Sequence, residues 1–287
     1  MLEQLIIPEN KNKLLYTTGM DNPASCLNKK HFDRYPWKID YQYNSRGFRD
    51  HEWPDNLNDV IWCIGDSFTT GIGVPLEHTW WKVLHSRTNK RCINISMDGA
   101  SNDWILRQLL YILQHFPQAK FVVVWSFITR NEIASEKIID DRVKTIYNYH
   151  KETIWPNCNS YKEFLQLPKK IQKKISKLEE WKSITDVTDQ QRRDGGKPSD
   201  HCVDKLFNCI DTVERVKGSS KIVHSFVPGF ACEEDRITTI DARMLQWSKE
   251  VTWLTEIQIF DVGRDGFHFD IKSATRFVER VLELNVL

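Results

Sequence analysis

The sequence predicts a doubly wound, flavodoxin-like α/β fold, a three-layer α/β/α arrangement around a parallel sheet of about five strands. Three observations predict it. Short, almost continuously apolar runs recur along the chain, as expected of strands buried on both faces. Segments with apolar residues at helical spacing separate those runs. Polar, glycine-bearing turns follow the runs directly, at the edge where such sheets bind ligands.

Residues 1–57, rich in Asn, Asp, Tyr and Pro, read as an extension with little regular structure that packs on the core. Asp59 to Ile64 (DVIWCI) is the first strand and breaks into Gly65-Asp66-Ser67. Glu77 to Ser86 reads as a helix and Arg91 to Ser96 as the second strand. Asn102 to His115 has apolar residues at helical spacing behind a capping Ser101 or Asn102, and Lys120 to Ser126 is the third strand. The rhythm then breaks from about 133 to 200, where LPKKIQKKISKLEEWKSI gives way to QQRRDGGKPSD. This stretch reads as a helical insertion within one domain spanning 1–287, with Leu165, Leu167, Ile171, Ile175 and Leu178 as its buried stripe. Alternation resumes with a helix near Asp200 to Val216, a strand at Lys221 to Val227, a helix near Ile240 to Trp253 and a strand at Ile257 to Val262. The last helix starts at the N-cap Asp270 and presents Ile271, Ala274, Phe277, Val278 and Val281 on one face.

Forty basic and 39 acidic residues leave a net charge of +1, so no global field draws the chain to nucleic acid or an anionic membrane. No segment approaches the roughly 18 apolar residues of a membrane span, and Leu5-Ile6-Ile7 is too short for a signal-peptide core. The seven cysteines are scattered, with no C-x-x-C pair, which argues against a zinc or disulfide framework and fits a reducing cytoplasm. Cys63 and Cys92 sit in apolar runs and read as buried thiols.

Two polar turns carry chemistry. The first is Gly65-Asp66-Ser67-Phe68-Thr69-Thr70-Gly71, where Ser67 opens the helix after the first strand. It is neither a phosphate-binding G-x-x-x-x-G-K-[ST] loop nor a dinucleotide G-x-G-x-x-G. Asp66 and Ser67 would serve equally as plain helix caps. The second turn is Asp265-Gly266-Phe267-His268, immediately before the last helix. A carboxylate three residues before a histidine can bond one ring nitrogen and leave the other to accept a serine proton.

A G-D-S after the first strand and a D-x-x-H near the end make the chain resemble the SGNH (GDSL-like) hydrolases, over about 59–132 and 221–287. Gly99, in Ser96-Met97-Asp98-Gly99, stands where that family has its second-block glycine. Thr129-Arg130-Asn131-Glu132 stands where it has G-x-N-D, with Thr for the glycine and Glu for the aspartate. The resemblance implies Ser67 as nucleophile, His268 as base and Asp265 as its orienting carboxylate. It also implies an oxyanion hole from Ser67, Gly99 and Asn131, with Thr129 or Arg130 as alternatives to Asn131. Asp66, Asn102, Thr129 and Arg130 are expected to meet substrate. The eleven tryptophans read mostly as core, with Trp80 and Trp104, behind the turns at the binding edge, as the ones to test as substrate walls. The expected activity is cleavage of a carboxylic ester, such as an O-acetyl or other acyl group on a carbohydrate or lipid, without metal or organic cofactor. Acyl transfer through the same acyl-enzyme, or a noncatalytic glycan-binding or assembly module on the same fold, are the alternatives. The insertion is expected to lie beside the active-site edge and govern access. Asn44-Ser45-Arg46-Gly47-Phe48-Arg49 resembles a segment that precedes the G-D-S block in some relatives, and Gly47 reads as a structural turn.

Overall fold

The computed structural model describes residues 2–130, 163, 166–175, 200–229, 251–254 and 256–287. The chain divides into two compact units, residues 1–130 with 200–287, and residues 131–199. In the second unit the described residues include a helix at Lys169–Ile175; Leu165 and Leu178 of the predicted stripe lie outside the described residues.

The first unit is built on five parallel strands: β1 (Ile61–Gly65), β2 (Cys92–Ser96), β3 (Lys120–Trp125), β4 (Lys221–Phe226) and β5 (Thr252–Trp253). Their order across the sheet is β2-β1-β3-β4-β5, the flavodoxin-like doubly wound order, which reverses direction beside β1. Every residue of β1 and β2 is buried, the physical reason these strands read as largely apolar runs. Right-handed crossovers leaving β1 in one direction and returning in the other place their helices on opposite faces. Accordingly α2 (Trp80–Thr88) packs with the last helix α5 (Ile271–Glu283), while α3 (Asn102–His115) packs with α4 (Asp200–Val216). Phe277 of α5 meets Trp80 of α2 edge to face, with centroids 5.3 Å apart; burying such a side chain contributes about 1.5–3 kcal/mol.

Two expectations need correction. The fifth strand is Thr252–Trp253, within what the sequence marks as the end of a helix, and Ile257 to Val262 is not a strand. The β-branched and aromatic pair Thr252-Trp253 takes the ladder beside Val223 and His224. The chain then runs irregularly along β4, with Leu254 N–H donating to His224 O at 2.8 Å and Ile257 N–H to Phe226 O at 3.0 Å. Asp261 is drawn away to cap α5, its carboxylate accepting from Lys272 N–H and Ser273 N–H, both at 2.9 Å. Ile259 and Phe260 are consequently exposed. The second correction is local: the helix expected over Glu77 to Ser86 is a 3-10 turn at Leu76–His78 followed by α2.

Regular structure in residues 2–57 is limited to short elements, among them an antiparallel pairing of Leu14–Leu15 with Tyr41–Gln42 and a helix at Lys29–Arg34 capped by Asn28. Leu2, Leu5, Ile7 and Phe48 nevertheless belong to the main core. Among the described residues no helix is long and apolar enough to cross a membrane.

Candidate active site

The turn after β1 leaves no room for a side chain at position 65. A Cβ on Gly65 would stand 2.2 Å from Thr69 Oγ1 and 2.9 Å from Val124 O. The close approach of β3 thus fixes glycine here. The next residue, Asp66, caps the single helical turn α1 (Ser67–Thr70), accepting from Phe68 N–H at 3.0 Å. Gly71, at φ +76°, ends that turn in the left-handed region. Its freed carbonyls meet Arg49, a fully buried guanidinium that donates to Thr70 O at 3.2 Å, to Gly71 O and to Val74 O at 2.8 Å. Arg49 also lies over the Tyr41 ring, 4.3 Å from its centroid. The structural role expected of the Gly47 segment has this physical content, with Arg49 as its working end.

The second turn is closed on itself. Asp265 Oδ1 accepts from Phe267 N–H at 3.0 Å and His268 N–H at 3.1 Å, and Gly266 at φ +73° permits the bend. Asp265 Oδ2 lies 2.5 Å from His268 Nδ1, and His268 Nε2 lies 2.9 Å from Ser67 Oγ. All three side chains are buried. With a carboxylate on Nδ1, that nitrogen carries the proton and Nε2 accepts from the Ser67 hydroxyl. The Phe68 ring packs on the imidazole at 4.5 Å, fixing its plane, and also touches Phe267, Phe269 and the half-buried Phe127. The structure therefore brings together the three residues that sequence names as nucleophile, base and orienting acid.

Gly99 stands on the loop after β2, exposed, at φ +71° and with open space where a Cβ would be. Register pairs Gly65 with Ser96, so this loop leaves the sheet on the same edge as Ser67. Neither Ser67 N–H nor Gly99 N–H has a protein acceptor among the described residues. Asn131 lies outside the described residues, as does most of the 133–200 insertion.

The residues expected to meet substrate are arranged differently. Asp66 is fully buried, its Oδ2 accepting from Ser126 Oγ at 2.6 Å and Arg130 Nη1 at 2.9 Å. Burial pushes its carboxyl up from the ordinary range, against the pull of Ser126 and Arg130. Asn102 is equally buried: its Oδ1 accepts from Ser126 N–H at 2.9 Å and its Nδ2 donates to Phe127 O at 3.1 Å. Asp66 and Asn102 are thus struts that clip the ends of β1, β3 and α3 together, because each has its polar atoms spent inward. Arg130 is partly exposed, though tied to Asp66, and Thr129 is half-buried at the same edge. Of the two readings open for Trp80 the structure takes the core one: it is fully buried against Phe277, with Nε1 donating to Thr69 Oγ1 at 3.4 Å. Trp104 is half-buried and packs on the core.

Sequence reasoning missed Ser126, Arg49, Tyr41, Asp21, Arg264 and Gly73, which fix these turns. Besides the Asn44 to Arg49 segment, a signal stood in Gly71-Ile72-Gly73, since paired glycines in a turn mark close backbone approach; a Cβ on Gly73 would stand 2.6 Å from Asp265 Oδ1. Among the described residues no group of three or more His, Cys, Asp or Glu side chains could hold a metal ion.

Fold and site together define a doubly wound α/β protein with Ser67, His268 and Asp265 hydrogen-bonded in series at the carboxyl edge of its sheet. No family model matches the chain, and no curated protein matches it. Among solved structures it is similar to a lipolytic protein of the G-D-S-L family from Veillonella parvula (11% identity, 78% of this chain and 96% of that one, TM-score 0.39). It is also similar to TesA (13%, 78% and 96%, TM-score 0.39) and to a GDSL-like lipase from Bacteroides thetaiotaomicron (10%, 82% and 91%, TM-score 0.36). At these identities the functional reading has to stand on the geometry of the site.

Proposed function

We propose that this chain is a serine esterase of the SGNH type that cleaves a carboxylic ester through an acyl-enzyme on Ser67. One observation carries the reading: the unbroken chain Asp265 Oδ2 to His268 Nδ1 at 2.5 Å and His268 Nε2 to Ser67 Oγ at 2.9 Å, at the ligand-binding edge of the sheet.

In the first half-reaction Ser67 Oγ attacks the ester carbonyl carbon while His268 Nε2 takes the hydroxyl proton. Asp265 holds the imidazole tautomer and stabilises the imidazolium that forms. The tetrahedral oxygen is bound by Ser67 N–H and Gly99 N–H, with Asn131 as the third donor. Collapse breaks the bond to the alcohol oxygen, which leaves with the proton from His268. Water, deprotonated by the same nitrogen, then releases the acid and restores Ser67. Losing one oxyanion donor typically costs about 100- to 1,000-fold in turnover.

Phe127 and Phe267, half-buried and both in contact with Phe68, give the serine an apolar flank suited to an acyl group. An O-acetyl or other acyl group on a carbohydrate or lipid is the substrate class we assign. The free thiols of Cys26, Cys63, Cys92 and Cys209 fit work in a reducing cytoplasm. The test is labelling with a fluorophosphonate followed by peptide mapping, since only an activated serine reacts readily. Modification at Ser67, together with hydrolysis of nitrophenyl acetate, is the expected result. Labelling at another serine overturns the assignment.

A further inference from the structure

The turn that carries Asp265 and His268 lies outside the sheet ladder; among the described residues its base is joined by an isolated bridge between Val262 and Phe269. Turns of this kind are mobile unless other groups tie them down. Here the ties come from the N-terminal segment. Asp21 is fully buried and receives the Tyr41 hydroxyl at 2.5 Å, Arg264 Nε at 2.7 Å and Arg264 Nη2 at 2.5 Å. The Tyr41 oxygen in turn accepts Gly73 N–H at 2.8 Å, and Gly73 O accepts Arg264 N–H at 2.6 Å. Gly73 is the residue packed against the Asp265 carboxylate. Two routes thus run from Asp21 to Asp265, one through its chain neighbour Arg264 and one through the Tyr41–Gly73 wall. Leu27 N–H adds a bond to Asp265 O at 3.1 Å.

We propose that Asp21 is a positioning residue for the Asp265–His268 pair, resting on the reading of Ser67 as nucleophile. A buried, bidentate arginine–carboxylate pair gives up much of its attraction to desolvation, so stability alone is a weak reason for it. Its geometric effect is strong, because the fork fixes Arg264 in two directions and Asp265 follows in the chain. Asp21 touches no reacting atom. It sets where the carboxylate stands, and misplacement by about 1 Å can cost roughly 100-fold in rate.

The test uses Asp21→Asn in the full chain, which keeps size and an acceptor for Tyr41 but loses the charge and the fork. We expect kcat on nitrophenyl acetate to fall about 10- to 100-fold with KM within about twofold, and the fluorophosphonate reaction rate to fall in step. In an Asp265→Asn background the same substitution should cost less than about twofold, because its route of action is already cut. Equal losses in both backgrounds, or a lowered Tm with unchanged kcat, overturn the proposal. Should Asp21→Asn fail to fold, Arg264→Lys, which keeps the charge and loses the fork, is read by the same criteria. A readout independent of hydrolysis separates this proposal from the esterase reading. The low-field proton resonance of His268 Nδ1–H should be sharp in the wild type and broadened by exchange in the variant, even if no ester is cleaved. An unchanged resonance counts against Asp21, and absent serine reactivity counts against the esterase reading alone.

Discussion

At Ser67 the decisive fact is one of placement: a hydroxyl at the first position of a one-turn helix, 2.9 Å from an imidazole contributed 201 residues later. Ser67→Ala should leave the fold intact, with an unchanged far-UV circular dichroism spectrum, and abolish nitrophenyl acetate hydrolysis; a retained rate in purified variant removes Ser67 from the mechanism. In the proposed mechanism His268 moves the proton while Asp265 orients the imidazole and stabilises its charge, so His268→Ala should cost more than Asp265→Asn. Steady-state kinetics of the two variants side by side check this order, and a fully active His268→Ala contradicts it. The three residues were legible because two short motifs carry them. The reassignment of Asp66 and Asn102 was not legible: whether a polar side chain behind a strand faces ligand or faces Ser126 depends on how close β3 comes to β1, and a single strand's sequence does not say.

Element by element, the site depends on how α1 ends. Its last carbonyls point into a region closed to water, and Arg49 is their donor. Arg49→Ala should therefore destabilise the protein by more than about 3 kcal/mol, since each buried polar group left without a partner costs about 1–3 kcal/mol. The midpoint of urea unfolding measures this, and a shift equivalent to less than about 1 kcal/mol contradicts it. Helices and strands with strong periodicity were legible: β1, β2, β3 and β4 among the strands, and α3, α4 and α5 among the helices. The fifth strand was misplaced because Thr252-Trp253 is too short to declare itself, while the more apolar Ile257 to Val262 segment is diverted by Asp261 into capping α5.

On the scale of the whole molecule, the buried polar network makes stability depend on pH. His224 stands inside the sheet, with Nδ1 accepting from Trp125 Nε1 at 3.0 Å and Nε2 3.1 Å from Glu214. Burial lowers its pKa, outweighing the attraction of Glu214. The sign follows: near pH 6.5 the unfolded histidine takes up a proton that the folded one resists, so stability falls as pH drops below about 6.5. Burial pushes the Glu214 carboxyl up, but its bonds to His224 and Lys217 prevail and bring it down, so its contribution is lost only at lower pH, as pH falls through its depressed value. Asp50 and Asp66, both raised by burial, act in the opposite sense and gain stability as pH falls. Thermal melts between pH 7.5 and 5.5, on the order of the histidine range, should show Tm falling in the wild type more steeply than in His224→Gln, which leaves Asp50 and Asp66 in place. Equal slopes in the two proteins contradict the assignment to His224.

The sequence by itself determined the alternation of strands and helices, the order of the two reactive motifs and the chemistry their side chains can perform. These are local properties: periodicity fixes which face is buried, and a turn residue's type fixes what it can donate or accept. Tertiary structure decided which polar groups are spent on the scaffold, where the short edge strand lies, and that residues 14–49 reach both reactive turns. Asp21 pairs with Arg264 across 243 residues of sequence, and Arg49 meets the end of α1 only because the extension folds back on it. Such contacts depend on the path of the whole chain, and no window of sequence short enough to read as a pattern contains both partners.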